Sequence, residues 1–124
     1  MILILTDSFL TKEYIPVSRF FSIKHLNRAA IKCKSSGVEM SNLGYIGAKV
    51  IKVRISGKPA GRLVFFVEVE NERYIPIVLR LKKDKIFGEN LSMQNKKAKK
   101  IILERIFSSQ ADVKLGKYRK YDFS

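Results

Sequence analysis

Residues 49–82 read KVIKVRISGKPAGRLVFFVEVENERYIPIVLRLK, and their periodicity decides the fold. The segments Lys49–Ser56, Arg62–Glu70 and Arg73–Lys82 alternate or run apolar and are rich in β-branched and aromatic residues, which fit a pleated, half-buried surface. Gly57-Lys58-Pro59-Ala60-Gly61 supplies a hairpin loop and Asn71-Glu72 a tight turn, so the strands form a meander. Pro76 has no N–H to give to a ladder, which predicts a local bulge or an unpaired edge there. Side chains alternate across a strand, so parity sorts residues by face. Ile51, Val53 and Ile55 take one side, with Lys52, Arg54 and Ser56 on the other. Ile75, Ile77, Leu79 and Leu81 oppose Tyr74, Val78, Arg80 and Lys82, and the middle strand is apolar on both sides and opens at Arg62. The economical arrangement packs the helices on the Ile/Val/Leu face and leaves Lys52, Arg54, Arg62, Arg80 and Lys82 on an open, cationic face.

Working outward, Ile2–Thr6 reads as a strand and Thr6-Asp7-Ser8 as capping residues of a short helix stopped near Pro16. Between Ser18 and Ser36, Phe20, Ile23, Leu26, Ala30 and Cys33 recur at helical spacing, with Arg19, Lys24, Arg28 and Lys32 opposite; residues 38–47 read as a connecting loop. After the meander, Ser92–Phe107 places Ala98, Ile101, Ile102 and Ile106 on one stripe of a basic helix. The expected fold class is α+β: a twisted antiparallel sheet, an N-terminal helical pair on one face, and a C-terminal basic helix. Residues 1–111 form the single domain of this reading and residues 112–124 a basic tail with Tyr118 and Tyr121.

The 124 residues carry 25 Lys and Arg against 11 Asp and Glu, a net +14 that attracts polyanions at long range and exceeds what solubility needs. Arg80 to Lys100 holds eight cations and two acids, extending the positive field through Lys83, Lys85, Lys96 and Lys97. A lone cysteine, Cys33, implies a reducing cytoplasm, and no apolar run is long enough to cross a bilayer, so no membrane partner is expected. The single histidine, His25, has no second ligand at metal-binding spacing, and no glycine-rich nucleotide loop precedes a helix; neither metal nor cofactor is expected. Glu68, Glu70 and Glu72 read as an exposed hairpin end. Phosphate contacts confer affinity without sequence preference, and base contacts would fall to rings such as Tyr45, Phe66, Tyr74 or the tail tyrosines. Any catalysis must use Lys, Arg and Tyr with an Asp or Glu base. That set suits RNA cleavage, in which a 2′-hydroxyl attacks the adjacent phosphate and cations stabilise the developing charge.

The order of strand, helical pair, Lys49–Ile55, a Gly-containing loop, Gly61–Phe66 and Ile77–Lys83 before a basic helix resembles the RelE/ParE superfamily of bacterial toxin–antitoxin toxins over residues 2–107. The resemblance implies a ribosome-associated, metal-independent mRNA endonuclease held inactive by an acidic antitoxin. Its alternatives are a ParE-like inhibitor of DNA gyrase and a noncatalytic RNA-binding module. By the same resemblance Lys52 and Arg54 correspond to paired strand cations that bind RNA, Arg62 to the arginine opening the next strand, and Arg80 with Lys82 to the cation that stabilises the transition state. The family's proton-transferring tyrosine or histidine has no counterpart at Ile86 or Phe87, which leaves Tyr118 or Tyr121 of the tail as substitutes.

Overall fold

The computed structural model describes residues 1–40, 45–88 and 95–122. The chain is α+β. Strand β1 (Ile2–Thr6) leads into a helical stretch made of α1 (Asp7–Phe9), a π turn (Leu10–Tyr14) and a 3-10 turn (Ile15–Val17), followed by helix α2 (Ile23–Ser35). Strands β2 (Val38–Glu39), β3 (Ala48–Ile55), β4 (Gly61–Glu68) and β5 (Arg73–Leu81) come next, then helix α3 (Lys96–Lys114) and strand β6 (Tyr118–Asp122). The strand order is β2-β3-β4-β5-β1-β6. The expected meander is present as β3-β4-β5, but the sheet is mixed: β1 runs parallel to β5 and antiparallel to β6.

Helices cover both faces, not one. On the first, α2 and the N-terminal helical stretch bury Phe9, Phe21, Leu26 and Ala30 against Val53, Leu63, Phe65 and Leu79. On the second, Ala98, Ile102 and Ile106 of α3 pack over Val50, Val64, Phe66, Ile75 and Val78. The open cationic face expected from parity is therefore occupied by α3. Its apolar stripe needed a surface, and the face carrying Lys52, Arg54 and Arg80 also carries Val50, Val64 and Val78.

Parity in β5 also fails part-way. The register runs Phe65↔Pro76 and then Val64↔Val78, leaving Ile77 as the extra residue of a bulge. Ile75, Ile77 and Val78 consequently share the α3 side, while Tyr74 and Leu79 share the α2 side, so a single assignment of Ile75 through Leu81 to one face is wrong. The bulge lies beside Pro76, as its missing N–H predicts.

Close approach dictates the glycines at Gly61 and Gly88. A Cβ on Gly61 would meet the Phe21 ring at 2.6 Å, so the bare backbone at the start of β4 makes room for that buried phenyl. A Cβ on Gly88 would collide with the carbonyl oxygens of Lys82 and Asp84, so the loop leaving β5 can fold back tightly only with glycine there.

The C-terminal tail is an element of the domain. The boundary expected at residue 111 falls inside α3, whose Asp112 Oδ2 accepts from Ser8 N at 2.8 Å. β6 then pairs with all of β1, with Leu3 opposite Tyr121 and Thr6 opposite Tyr118. Tyr121 packs into the first core and Tyr118 into the second. The short segment Val38–Glu39, read as loop, pairs with Lys52 and Ile51 at the opposite edge.

A chain ending at Lys117 should lose the burial of both half-covered tyrosines, about 2–3 kcal/mol. Urea denaturation followed by circular dichroism should show a markedly lower midpoint; an unchanged midpoint would contradict a structural role for β6.

Candidate nucleic-acid interface

The sheet register sets the charge geometry. Arg54 lies opposite Arg62, and Arg62 opposite Arg80, so three guanidinium-bearing residues form one row across β3, β4 and β5. Like charges directly opposite repel, and each arginine meets this differently.

Arg80 is neutralised. Its Nε donates to Glu13 Oε1 at 2.8 Å and its Nη2 to Glu13 Oε2 at 2.9 Å, a bidentate fork, while Nη1 reaches Asp84 Oδ2 at 3.4 Å. Its guanidinium carbon stands 5.0 Å from the centroid of the fully buried Phe87 ring. Glu13, 1% exposed, also accepts from Arg105 Nε at 2.9 Å and from the backbone N–H of Leu79 at 2.9 Å. The hydrogen bond to Glu13 raises Arg80 above its ordinary value against the opposing effect of burial. Burial raises Asp84, but the N–H groups of Phe87 and Ile86, both on Oδ1, together with Arg80 more than offset this and hold its carboxyl below the usual range. The transition-state role expected for Arg80 thus meets a side chain already committed to two carboxylates.

Arg62, 8% exposed, is held by carbonyls: Nε donates to Gly88 O at 2.9 Å and Nη1 to Gly61 O at 3.1 Å. It ties the loop after β5 to the start of β4. Arg54 is exposed, and no carboxylate pairs with it among the described residues.

These differences leave a cationic cleft at the β3 edge, past the point where β2 stops pairing. The cleft has a volume of about 310 Å3 and is lined by Lys32 of α2 and its C-cap Ser36, by Lys52, Arg54 and Ser56, and by Arg62 and Gly88. Among the described residues no acidic side chain lines it. Lys32 Nζ donates to the Arg54 carbonyl at 3.2 Å, capping an edge acceptor of β3 and bringing a further cation to the rim.

The remaining sequence candidates lie elsewhere. Lys82 is exposed just beyond β5, and Lys83 and Lys85 flank a second groove of about 490 Å3 with Lys12, whose charge Glu13 and Asp84 temper. Lys96 and Lys97 occupy the first turn of α3, where cations oppose the helix dipole. Tyr118 and Tyr121 sit on β6, four strand spacings or about 19 Å from β3; the strand order separates them from the cleft as well as half-burying them. Phe66 and Tyr74 are buried, which removes both as stacking platforms. Glu68 pairs with Arg73 at 3.1 Å, and Glu72 with Lys34 at 3.5 Å and the N-terminal amine at 3.8 Å. Among the described residues no group of three His, Cys, Asp or Glu could hold a metal ion, and no helix is long and apolar enough to cross a membrane. Burial pushes the Cys33 thiol up to about 12, far from a reactive thiolate.

Sequence reasoning missed Glu13 and Lys32. Neither has a local signal: Glu13 is one acid in a polar stretch, and Lys32 looks like the solvated face of an amphipathic helix. Comparison with protein-family models, with characterised proteins and with solved structures gave no match.

Glu13→Ala should leave Arg80 and Arg105 without their buried counter-ion and orphan the Leu79 N–H, costing about 3–5 kcal/mol in a urea titration. Glu13→Gln should cost less, because the amide oxygen still accepts from two of the four donors while its NH2 faces the other two.

Asp84 gives the fold a dependence on acid. A carboxyl held below its unfolded value stabilises the fold above the unfolded pKa, near 3.9, and that contribution disappears as pH falls through the folded value. Asp84→Asn should flatten the loss of stability below about pH 4 and lower stability at pH 7, as read from urea midpoints across that range.

Proposed function

We propose that this protein is a RelE-like toxin of a toxin–antitoxin module that binds RNA at the ribosome in the cytoplasm, inhibits translation by promoting mRNA cleavage, and is neutralised by an acidic antitoxin. The observation that carries the reading is the cleft in which Lys32, Lys52, Arg54 and Arg62 converge, with no described acid in its lining, on a chain of net charge +14. Such a cleft fits consecutive phosphates of one strand, because each contact releases a condensed counter-ion and needs no particular base. Supporting it are the α+β class and the strand, helix and meander order on which the resemblance rests.

Cleavage at this site would draw on alignment of the 2′-hydroxyl with its phosphate and on charge stabilisation by Lys52, Arg54 and Arg62. Phe87, buried under Arg80, occupies the region where the resemblance places a proton-transferring side chain. That observation favours a second reading, a ParE-like gyrase inhibitor, which requires no hydrolytic group.

Expression without a partner should arrest growth, with mRNA cut inside ribosomes when mapped by primer extension. Altered plasmid supercoiling with intact mRNA would select the gyrase reading, and normal growth under strong soluble expression would discard both. In vitro, Lys52→Ala with Arg54→Ala should weaken binding to single-stranded RNA and reduce the slope of log K against log salt by about 0.7 for each phosphate no longer neutralised; an unchanged slope would move the interface elsewhere.

A further inference from the structure

The cleft does not end at Lys32. A second groove, of about 200 Å3, continues along α2 and shares Lys32, Arg54 and Ser56 with the first, adding His25 and Arg28. His25, Arg28, Lys32 and Ser36 follow one another at three- and four-residue steps, so they line one face of the helix and its cap. At the helical rise, His25 to Ser36 spans about 16 Å. That length exceeds one phosphate and suits several successive nucleotides of a strand.

The two cationic or polar residues that this groove adds have different chemistry. Arg28 is exposed and has no ion pair or hydrogen bond among the described residues, so its fork of donors is available. His25 is oriented by the helix start: its Nδ1 accepts the backbone N–H of Ser22 at 3.0 Å and also lies 3.0 Å from Ser22 Oγ. Phe21 meets its ring edge-on at a centroid distance of 5.8 Å. An Nδ1 that accepts a backbone N–H must carry a lone pair, so the neutral ring holds its hydrogen on Nε2, at the opposite edge. His25 thereby presents a donor with no change of protonation, and the cap that fixes the ring also fixes the tautomer. With Nδ1 occupied, the ring offers no lone pair for taking a proton from a 2′-hydroxyl.

We infer that the groove lined by His25 and Arg28 is a second phosphodiester subsite, so that a single RNA strand runs along α2 from the cleft at Lys52 and Arg54 toward the helix N-terminus, with Arg28 and His25 Nε2–H donating to its backbone. The inference rests on the RNA-binding reading of the cleft and extends it to a helix face that the core packing leaves in solvent. It assigns His25 a positioning contact, not a proton transfer.

The test uses the full chain and a fluorescein-labelled dodecamer of uridylate, with binding followed by anisotropy from 50 to about 300 mM salt, a range over which phosphate contacts weaken steeply. Arg28→Ala should reduce affinity and lower the salt slope by about 0.7, as expected when one phosphate of a single strand is no longer neutralised. His25→Gln is the informative partner: glutamine at the third helical position maintains a capping box, so the melting curve should stay in place while affinity falls about threefold to tenfold, the effect of removing one hydrogen bond. Lys24→Ala removes the same charge from an exposed position of α2 outside both grooves and should leave the slope unchanged. If Arg28→Ala and His25→Gln bind like Lys24→Ala while Lys52→Ala with Arg54→Ala abolishes binding, the second subsite is overturned and the first stands. If the unmodified protein does not bind the dodecamer at 50 mM salt, the reading of the cleft falls and the subsite with it.

Discussion

The buried carboxylate of Glu13 is the constraint on which the rest of the arrangement depends. β1 pairs with β5 only at Ile2↔Arg73 and Leu3↔Tyr74, then diverges to pair along its whole length with β6. Past Tyr74, β5 needs acceptors for the backbone N–H groups on that side, and Glu13 supplies one at Leu79. The same two oxygens hold Arg80 from the sheet and Arg105 from α3. A lone buried carboxylate would be costly, but here both oxygens have charged donors, the condition under which such a group is tolerated. The π turn places Glu13 at this junction, so the N-terminal helical stretch, β5 and α3 meet at a single side chain.

That pairing also decides where positive charge can remain. With Arg80 neutralised, α3 can close over the face that parity alone would leave open, and Ala98, Ile102 and Ile106 complete the second core. Arg62 is next along the row, and the carbonyl oxygens of Gly88 and Gly61 orient its guanidinium. Arg54 is last and exposed. The row therefore grades from paired to solvent-facing across the sheet, and exposed positive charge collects at the β3 edge.

Much of this is legible in the sequence. The β3-β4-β5 meander, the capping at Thr6 and the irregularity beside Pro76 follow from local chemistry, since propensity, turn residues and a missing N–H act over a few residues. Which face α3 covers does not, because both faces of β4 are apolar and either could accept the helix. The same ambiguity makes the cationic residues look like an open surface, although the ladder that aligns Arg54, Arg62 and Arg80 is correctly given by parity up to the bulge. Ile77 shifts the parity of half of β5, and no pattern of hydrophobicity marks which residue of a Pro-containing strand is the extra one. Tyr118–Asp122 looks like a tail because it is short, mostly polar and basic; its strand character comes from the edge that β1 exposes, a tertiary fact.

The candidate site is half visible for a related reason. Lys52 and Arg54 are on a strand whose alternation announces their direction, but Lys32, Arg28 and His25 acquire significance only because α2 lies along the edge that β2 covers for two residues. An edge strand with free hydrogen-bonding groups is normally protected by charge or by a covering element. Here both devices coincide: Lys32 caps the Arg54 carbonyl, and the helix that carries it walls the cleft. A cation placed for edge protection is also available to a phosphate, so structural and binding demands on Lys32 do not compete. On the RNA-binding reading, the strand of phosphates would occupy the side of β3 that the sheet does not extend, and its affinity would come from cations that edge protection had already gathered there.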